Sequence, residues 1–217
     1  GSVDGWDFKQ YVLGMLFYRY ISENFANYIN DGEREAGDAT FDYAQLSDSD
    51  AEQARDDLIK TKGFFILPSQ LFCSVRSRAP LDENLNETLE AVFQAIEDSA
   101  KGSDSEANFS GLFDDIDVNS NKPGGTVAER NKRLVKLMNG VGDMKLGDYR
   151  DNTIDAYGDA YEYLMGMYAS NAGKSGGKYF TPQEVSELLT RIAVAGKPEV
   201  NKVYEIKPRY LIQNTAA

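Results

Sequence analysis

Apolar residues return at helical spacing along most of this chain, and that periodicity limits the possible folds more than any other feature. Phe8, Tyr11, Val12, Met15 and Leu16 stand at i, i+3, i+4, i+7 and i+8, and Phe25 and Ile29 extend the stripe. The spacing predicts one long helix over residues 7–30, with Lys9, Arg19 and Glu23 on its other face and Asn30-Asp31-Gly32 as the turn that ends it. A polar stretch tacked down by Phe41 and Tyr43 follows, then a short acidic helix from Ser47 to Lys60. Asn84 to Ala100 predicts another helix, with Leu85, Leu89, Val92, Phe93 and Ile96 inward. Thr126-Val-Ala-Glu129 is a capping box. It opens a basic helix with Leu134, Leu137, Met138 and Val141 inward and Arg130, Lys132, Arg133 and Lys136 projecting. Asp151 or Asn152 starts a further helix through Tyr157, Tyr161, Leu164 and Met165 to about Tyr168. Phe64-Phe-Ile-Leu67, stopped by Pro68, reads as buried extended chain rather than a paired strand. Only Asn201 to Ile206 reads as an incoming strand. The expected fold class is therefore mainly α, a helical bundle of about six to eight helices.

Residues 171–194 differ from the rest. Gly173, Gly176 and Gly177 make a hinge, and Thr181, Pro182 and Glu184 then carry the signature of a helix start: cap, first helical position and box partner. Val185, Leu188, Leu189, Ile192 and Ala193 follow at helical spacing, which predicts a buried helix. A polar loop delivered onto such a helix can present backbone groups to a ligand; it can equally be a linker and an ordinary helix.

Composition excludes several classes. The chain of 217 residues has 41% hydrophobic and 27% charged residues, which describes a soluble globular protein with a real core. No apolar run approaches a membrane span and no signal-peptide pattern opens the chain; Gly1-Ser2 reads as a cleavage scar. Cys73 stands alone, so no internal disulfide forms, and a reducing cytoplasm is the expected location. The absence of histidine removes Ser-His-Asp and Cys-His catalysis and most zinc sites. A net charge of −12 argues against a chain that simply coats nucleic acid. The charge is unevenly placed, however. Residues 81–120 carry eleven acids against Lys101, whereas residues 121–150 carry seven Lys/Arg against three acids and residues 171–217 seven against four. A basic strip on an acidic body can still meet DNA locally, although for any single charge the plainer reading is a solvated helix face.

The words of the chain add a resemblance. Gly158-Asp-Ala-Tyr-Glu-Tyr-Leu164, Gly173-Lys-Ser-Gly-Gly-Lys-Tyr-Phe-Thr-Pro182 and Glu184-Val-Ser-Glu-Leu-Leu189 resemble the modification (methyltransferase) subunit of type I restriction-modification systems. Tyr11-Val-Leu-Gly-Met-Leu-Phe-Tyr-Arg-Tyr-Ile-Ser22 resembles its amino-terminal helix. The resemblance implies an adenine-N6 DNA methyltransferase whose S-adenosylmethionine pocket is lined by Phe180, Thr181 and Pro182, with Tyr179 beside it. It also implies an amino-terminal helical domain over residues 3–170, then a hinge, the Thr-Pro helix and the first strand of an α/β methyltransferase domain over residues 171–204. The implied partners are a specificity subunit, a second modification subunit, a restriction subunit in the larger assembly, and double-stranded DNA within it. Arg130, Lys132, Arg133, Lys136, Lys174 and Lys178 are then the expected phosphate contacts.

The resemblance covers nearly all of residues 6–204 but only the amino-terminal part of the family's subunit. After Glu205 the family's Pro-x-Cys-Gly-x-Gly turn is replaced by a divergent tail over residues 205–217, and the Asn-Pro-Pro-aromatic motif for the target adenine is absent. No catalytic residue is assigned, and the expectation is that this chain alone transfers no methyl group. The competing class is a free-standing helical protein-interaction module. A nucleotide hydrolase is excluded, because Gly173-Lys-Ser175 has Tyr168 where a phosphate-binding loop needs glycine. Asp115 and Asp117 lack the glycine and terminal glutamate of a calcium loop, so no metal site is expected.

Overall fold

The computed structural model describes residues 5–146 and 183–195. The chain divides into two compact units, Gly1–Tyr168 and Ala169–Ala217. Among the described residues every regular element is helical, and the fold is mainly α as the periodicity predicts.

The first unit is laid along α1, Gly5–Glu35. Its inward face places Met15, Tyr18, Ile21 and Phe25 in the core. The helix passes the Asn30-Asp31-Gly32 turn signal and stops at Gly37, which takes φ +109°. The stop is set by two bonds: Asp38 N–H donates to the Glu33 carbonyl and Gly37 N–H to that of Arg34. This Schellman arrangement needs a left-handed residue, which Gly37 supplies and Gly32, inside an exposed last turn, does not. Asn30 keeps a tertiary role, since its side-chain oxygen accepts from Tyr43 N–H at 2.7 Å.

The acidic helix predicted over residues 47–60 is broken into α2, Asp48–Ala51, a short 3-10 turn, and α3, Arg55–Lys62. Beyond it Phe64, Phe65 and Ile66 run through the core as extended chain without a strand partner. Their polar groups are met from other elements: Phe65 N–H donates to Ser99 Oγ at 2.9 Å, and the Ile66 carbonyl accepts from Tyr43 Oη at 2.8 Å. That accounting is what lets unpaired backbone sit in a core.

Next come α4, Phe72–Arg78, α5, Leu85–Ser99, α6, Glu106–Phe109, and α7, Val127–Gly142. The aromatic rings form two groups on α1. Tyr18 meets Phe72 and Phe93 edge-on with centroids 5.4 Å away, and Phe93 stacks on Phe113 at 4.2 Å. Phe25 meets Phe64, Tyr43 and Phe65 at 5.3–5.9 Å. Edge-to-face pairs of this kind add to the area they bury. Tyr18 Oη also donates to the Gln70 carbonyl at 2.5 Å, so its single polar atom is satisfied inside the core.

α8, Gln183–Val194, is the described part of the second unit. Its apolar positions Val185, Leu188, Leu189 and Ile192 are exposed, Ile192 to 65%. The spacing predicts a buried face, but a unit spanning only Ala169–Ala217 is too short to cover all its own apolar surface. The helix predicted from Asp151 or Asn152 to Tyr168, the glycine hinge and the strand after Asn201 lie outside the described residues.

Candidate nucleic-acid interface

α7 begins where the sequence places it. Thr126 caps it, its Oγ1 accepting from Glu129 N–H at 3.2 Å. The helix packs against α1, α4 and α5, so three neighbours fix which of its faces is free. Leu134, Met138 and Val141 enter the core, while Lys132, Arg133 and Lys136 stand exposed on the outer side. These three cations are thus presented together by one rigid element.

Arg130 does not join them. It is buried, with 7% of its surface accessible, and so is Asn131 beside it. The reason is the helical repeat: Arg130 lies one turn before Leu134 and two before Met138, on the inward face. Its Nη2 donates to Asn121 Oδ1 at 3.3 Å, and its Nε meets no acceptor. Asn131 joins α5, accepting from Asn86 N–H at 3.1 Å and donating to the Glu83 carbonyl at 2.6 Å. Asn86 in turn donates to Asn119 Oδ1 at 2.6 Å, while its own side-chain oxygen is buried without a partner. Loop 119–126 is therefore tied to two helices. At Gly124 a Cβ would lie 2.5 Å from the Arg130 backbone nitrogen, so only glycine lets the loop close on the first turn of α7.

At the far end of α7 two arginines from other helices meet its carbonyl end. Arg19 Nη1 donates to the carbonyls of Val141 at 2.7 Å and Met144 at 2.9 Å, and its Nε donates to Glu23 at 2.6 Å. Arg76 donates to Asn139 Oδ1 at 3.1 Å and pairs with Asp143. The positions favour cations, because the unpaired carbonyls and the negative end of the helix dipole lie there. Sequence reading leaves Arg76 out and sets Arg19 on the outer face of α1; both partners sit too far along the chain for local spacing to show them.

The acids of α5 and the segment after it are exposed as a solvated surface, apart from Glu97. That carboxylate accepts from Gly111 N–H at 3.2 Å and Phe113 N–H at 3.0 Å and so fastens the chain after α6. Just past α5 the Lys101 side chain bonds Asp98 and, with Gln94, lowers its pKa; all three are surface groups. No cluster of three or more metal-binding side chains occurs among the described residues. No described helix is long and apolar enough to cross a membrane. Tyr179, Phe180, Thr181 and Pro182, expected at the cofactor, and Lys174 and Lys178, expected at DNA, lie outside the described residues. Of that segment only α8, directly behind Pro182, is seen.

Known proteins match most of the chain. Residues 1–141 match the HsdM N-terminal domain and residues 152–207 match N-6 DNA methylase. The type I restriction enzyme MpnII methylase subunit of Mycoplasma pneumoniae is 46% identical over 213 residues, covering 95% of this chain and 39% of the relative. A crystal structure of the type I restriction-modification system methyltransferase subunit from Streptococcus thermophilus superposes with a TM-score of 0.69 at 27% identity. It covers 89% of this chain and 40% of that one. The chain therefore spans about two-fifths of the length of these relatives.

Proposed function

The chain belongs to the HsdM N-terminal domain family, and from that membership we propose that it serves as the amino-terminal helical part of a type I modification subunit. The observation that carries the reading is the order of the two family matches, a helical domain followed directly by the start of an N-6 DNA methylase. In this role the helical unit assembles with the specificity subunit and a second modification subunit and helps to enclose duplex DNA. A restriction subunit joins the larger assembly, and the complex works in the cytoplasm. S-adenosylmethionine supplies the methyl group in the complete subunit, and Tyr179, Phe180, Thr181 and Pro182 provide one edge of its site. The rest of that site belongs to other parts of the subunit.

Lys132, Arg133 and Lys136 are the cations on α7 that reach solvent, and in this reading they contact DNA phosphates, joined by Lys174 and Lys178. Such contacts release counterions and confer salt dependence without sequence preference. Reversing the three α7 charges in the assembled enzyme should weaken binding on all sequences alike. The slope of log affinity against log salt should flatten by about 0.9 for each phosphate that is no longer neutralised. An unchanged slope would leave them as ordinary solvated charges. Failure of the chain to copurify with a specificity subunit would favour a free-standing interaction module instead.

A further inference from the structure

We propose that Arg130 is a receptor for a phosphate-class oxyanion supplied from outside this chain, taken up at the mouth between loop 119–126 and the first turn of α7. Arg130 is more than nine-tenths buried, yet among the described residues its guanidinium pairs with no carboxylate. Its one hydrogen bond is the 3.3 Å contact to Asn121, and Nε is sealed without an acceptor. A buried cation left unpaired is costly, and only a negative partner or well-made bonds offset it.

Its position makes the imbalance worse. Arg130 lies near the start of a 16-residue helix, where the dipole is positive and a cation is disfavoured. The same end favours an anion. Nη1 is not among the sealed atoms, so the guanidinium keeps an edge through which an anion can be met. Loop backbone packed against the helix start at Gly124, and the Asn121 bond, hold that edge in place.

Two neighbours narrow the ligand. The Glu129 carboxylate lies 3.8 Å from where a Cβ on Gly125 would be, so it puts a negative charge against the same loop and disfavours anions that are only weakly held. An oxyanion that accepts two parallel N–H bonds from a guanidinium is the kind that remains. Arg133, three residues further along α7 and exposed, raises the local positive potential and favours phosphate on a polyanion over a lone carboxylate. The proposed function is needed only for the source of the phosphate, a DNA backbone; the site itself does not rest on it.

Thermal melts of the full 217-residue chain in sodium phosphate, against sodium chloride at matched ionic strength, test the site. Phosphate should raise the wild-type midpoint by about 2–4 °C. Arg130→Met should melt above wild type in chloride, because an uncompensated buried charge is removed, and should lose the phosphate shift. Equal shifts in both proteins, no shift in wild type, or Arg130→Met melting below wild type in chloride would each overturn the proposal. So would failure of both Arg130→Met and Arg130→Gln to fold, since the guanidinium would then be a structural tie. Duplex binding by the assembled enzyme separates the sources. A loss of about tenfold or more in Arg130→Met assigns the phosphate to the DNA backbone. Unchanged duplex affinity beside an intact phosphate response would keep the site, assign it to free phosphate and count against the DNA role.

Discussion

The two ends of α7 treat arginine in opposite ways. At the carboxyl end, Arg19 and Arg76 arrive from α1 and α4 and find carbonyls, an amide oxygen and carboxylates. Charge, helix dipole and hydrogen bonding agree there, as they do in most structural ties. At the amino end, Arg130 comes from the helix itself and finds a single long bond, a sealed nitrogen and the wrong sign of dipole. The first end explains why the unit holds together. The second spends stability without visible return inside the chain, which is the usual mark of a group kept for something else.

Perturbing the carboxyl end should have the largest effect. Arg19→Ala strips two backbone carbonyls of a charged donor and removes the ion pair to Glu23; the expected loss is about 3 kcal/mol, read as a lower urea midpoint. A gain in stability would erase the contrast with Arg130. Alkali probes the seam beside it. Burial raises the pKa of Tyr18 well above its usual value, so the unfolded chain releases this proton first and the folded chain keeps it. Stability from this group is thus intact below about pH 10 and falls above it, by up to about 1.4 kcal/mol per pH unit. Tyr18→Phe should reduce that alkaline slope in pH-dependent melts. At the amino end, Thr126→Ala removes the cap on Glu129 N–H and should cost about 1 kcal/mol by denaturant titration, showing that this end is ordinary apart from Arg130. Lys136→Ala, exposed and away from either end, should change stability by less than about 0.5 kcal/mol in the same titration.

Local signals in the sequence locate much of this architecture. The spacing around Leu89 and Phe93, the Thr126 cap and the apolar run at Phe64 give α5, α7 and the buried extended chain, because each is decided within one or two turns of sequence. The end of α1 is misread at Gly32 because the stop depends on which glycine turns left-handed, and only the bonds at Gly37 reveal that. The burial of Arg130 is available from its spacing to Leu134 and Met138; residue type, taken alone, points outward. The roles of Arg19 and Arg76 are not legible, since their partners lie 122 and 63 residues away along the chain. The residues expected at the cofactor fall outside the described part, so their geometry adds nothing to the sequence signal.

The same long separations bear on how the protein is made. Arg19 leaves the ribosome 122 residues ahead of Val141, a delay of about 6–24 s at ordinary elongation rates. A helix forms in roughly a microsecond. For those seconds α1 can exist with Tyr18 and Phe25 incompletely covered, and the rings that meet them arrive in order: Tyr43, then Phe64 and Phe65, then Phe72, then Phe93. The nascent chain therefore has to keep an aromatic surface from meeting other chains until Phe93 on α5 closes it. Synthesis speed and holdase supply, as much as any single contact, should set how much of it reaches the folded state.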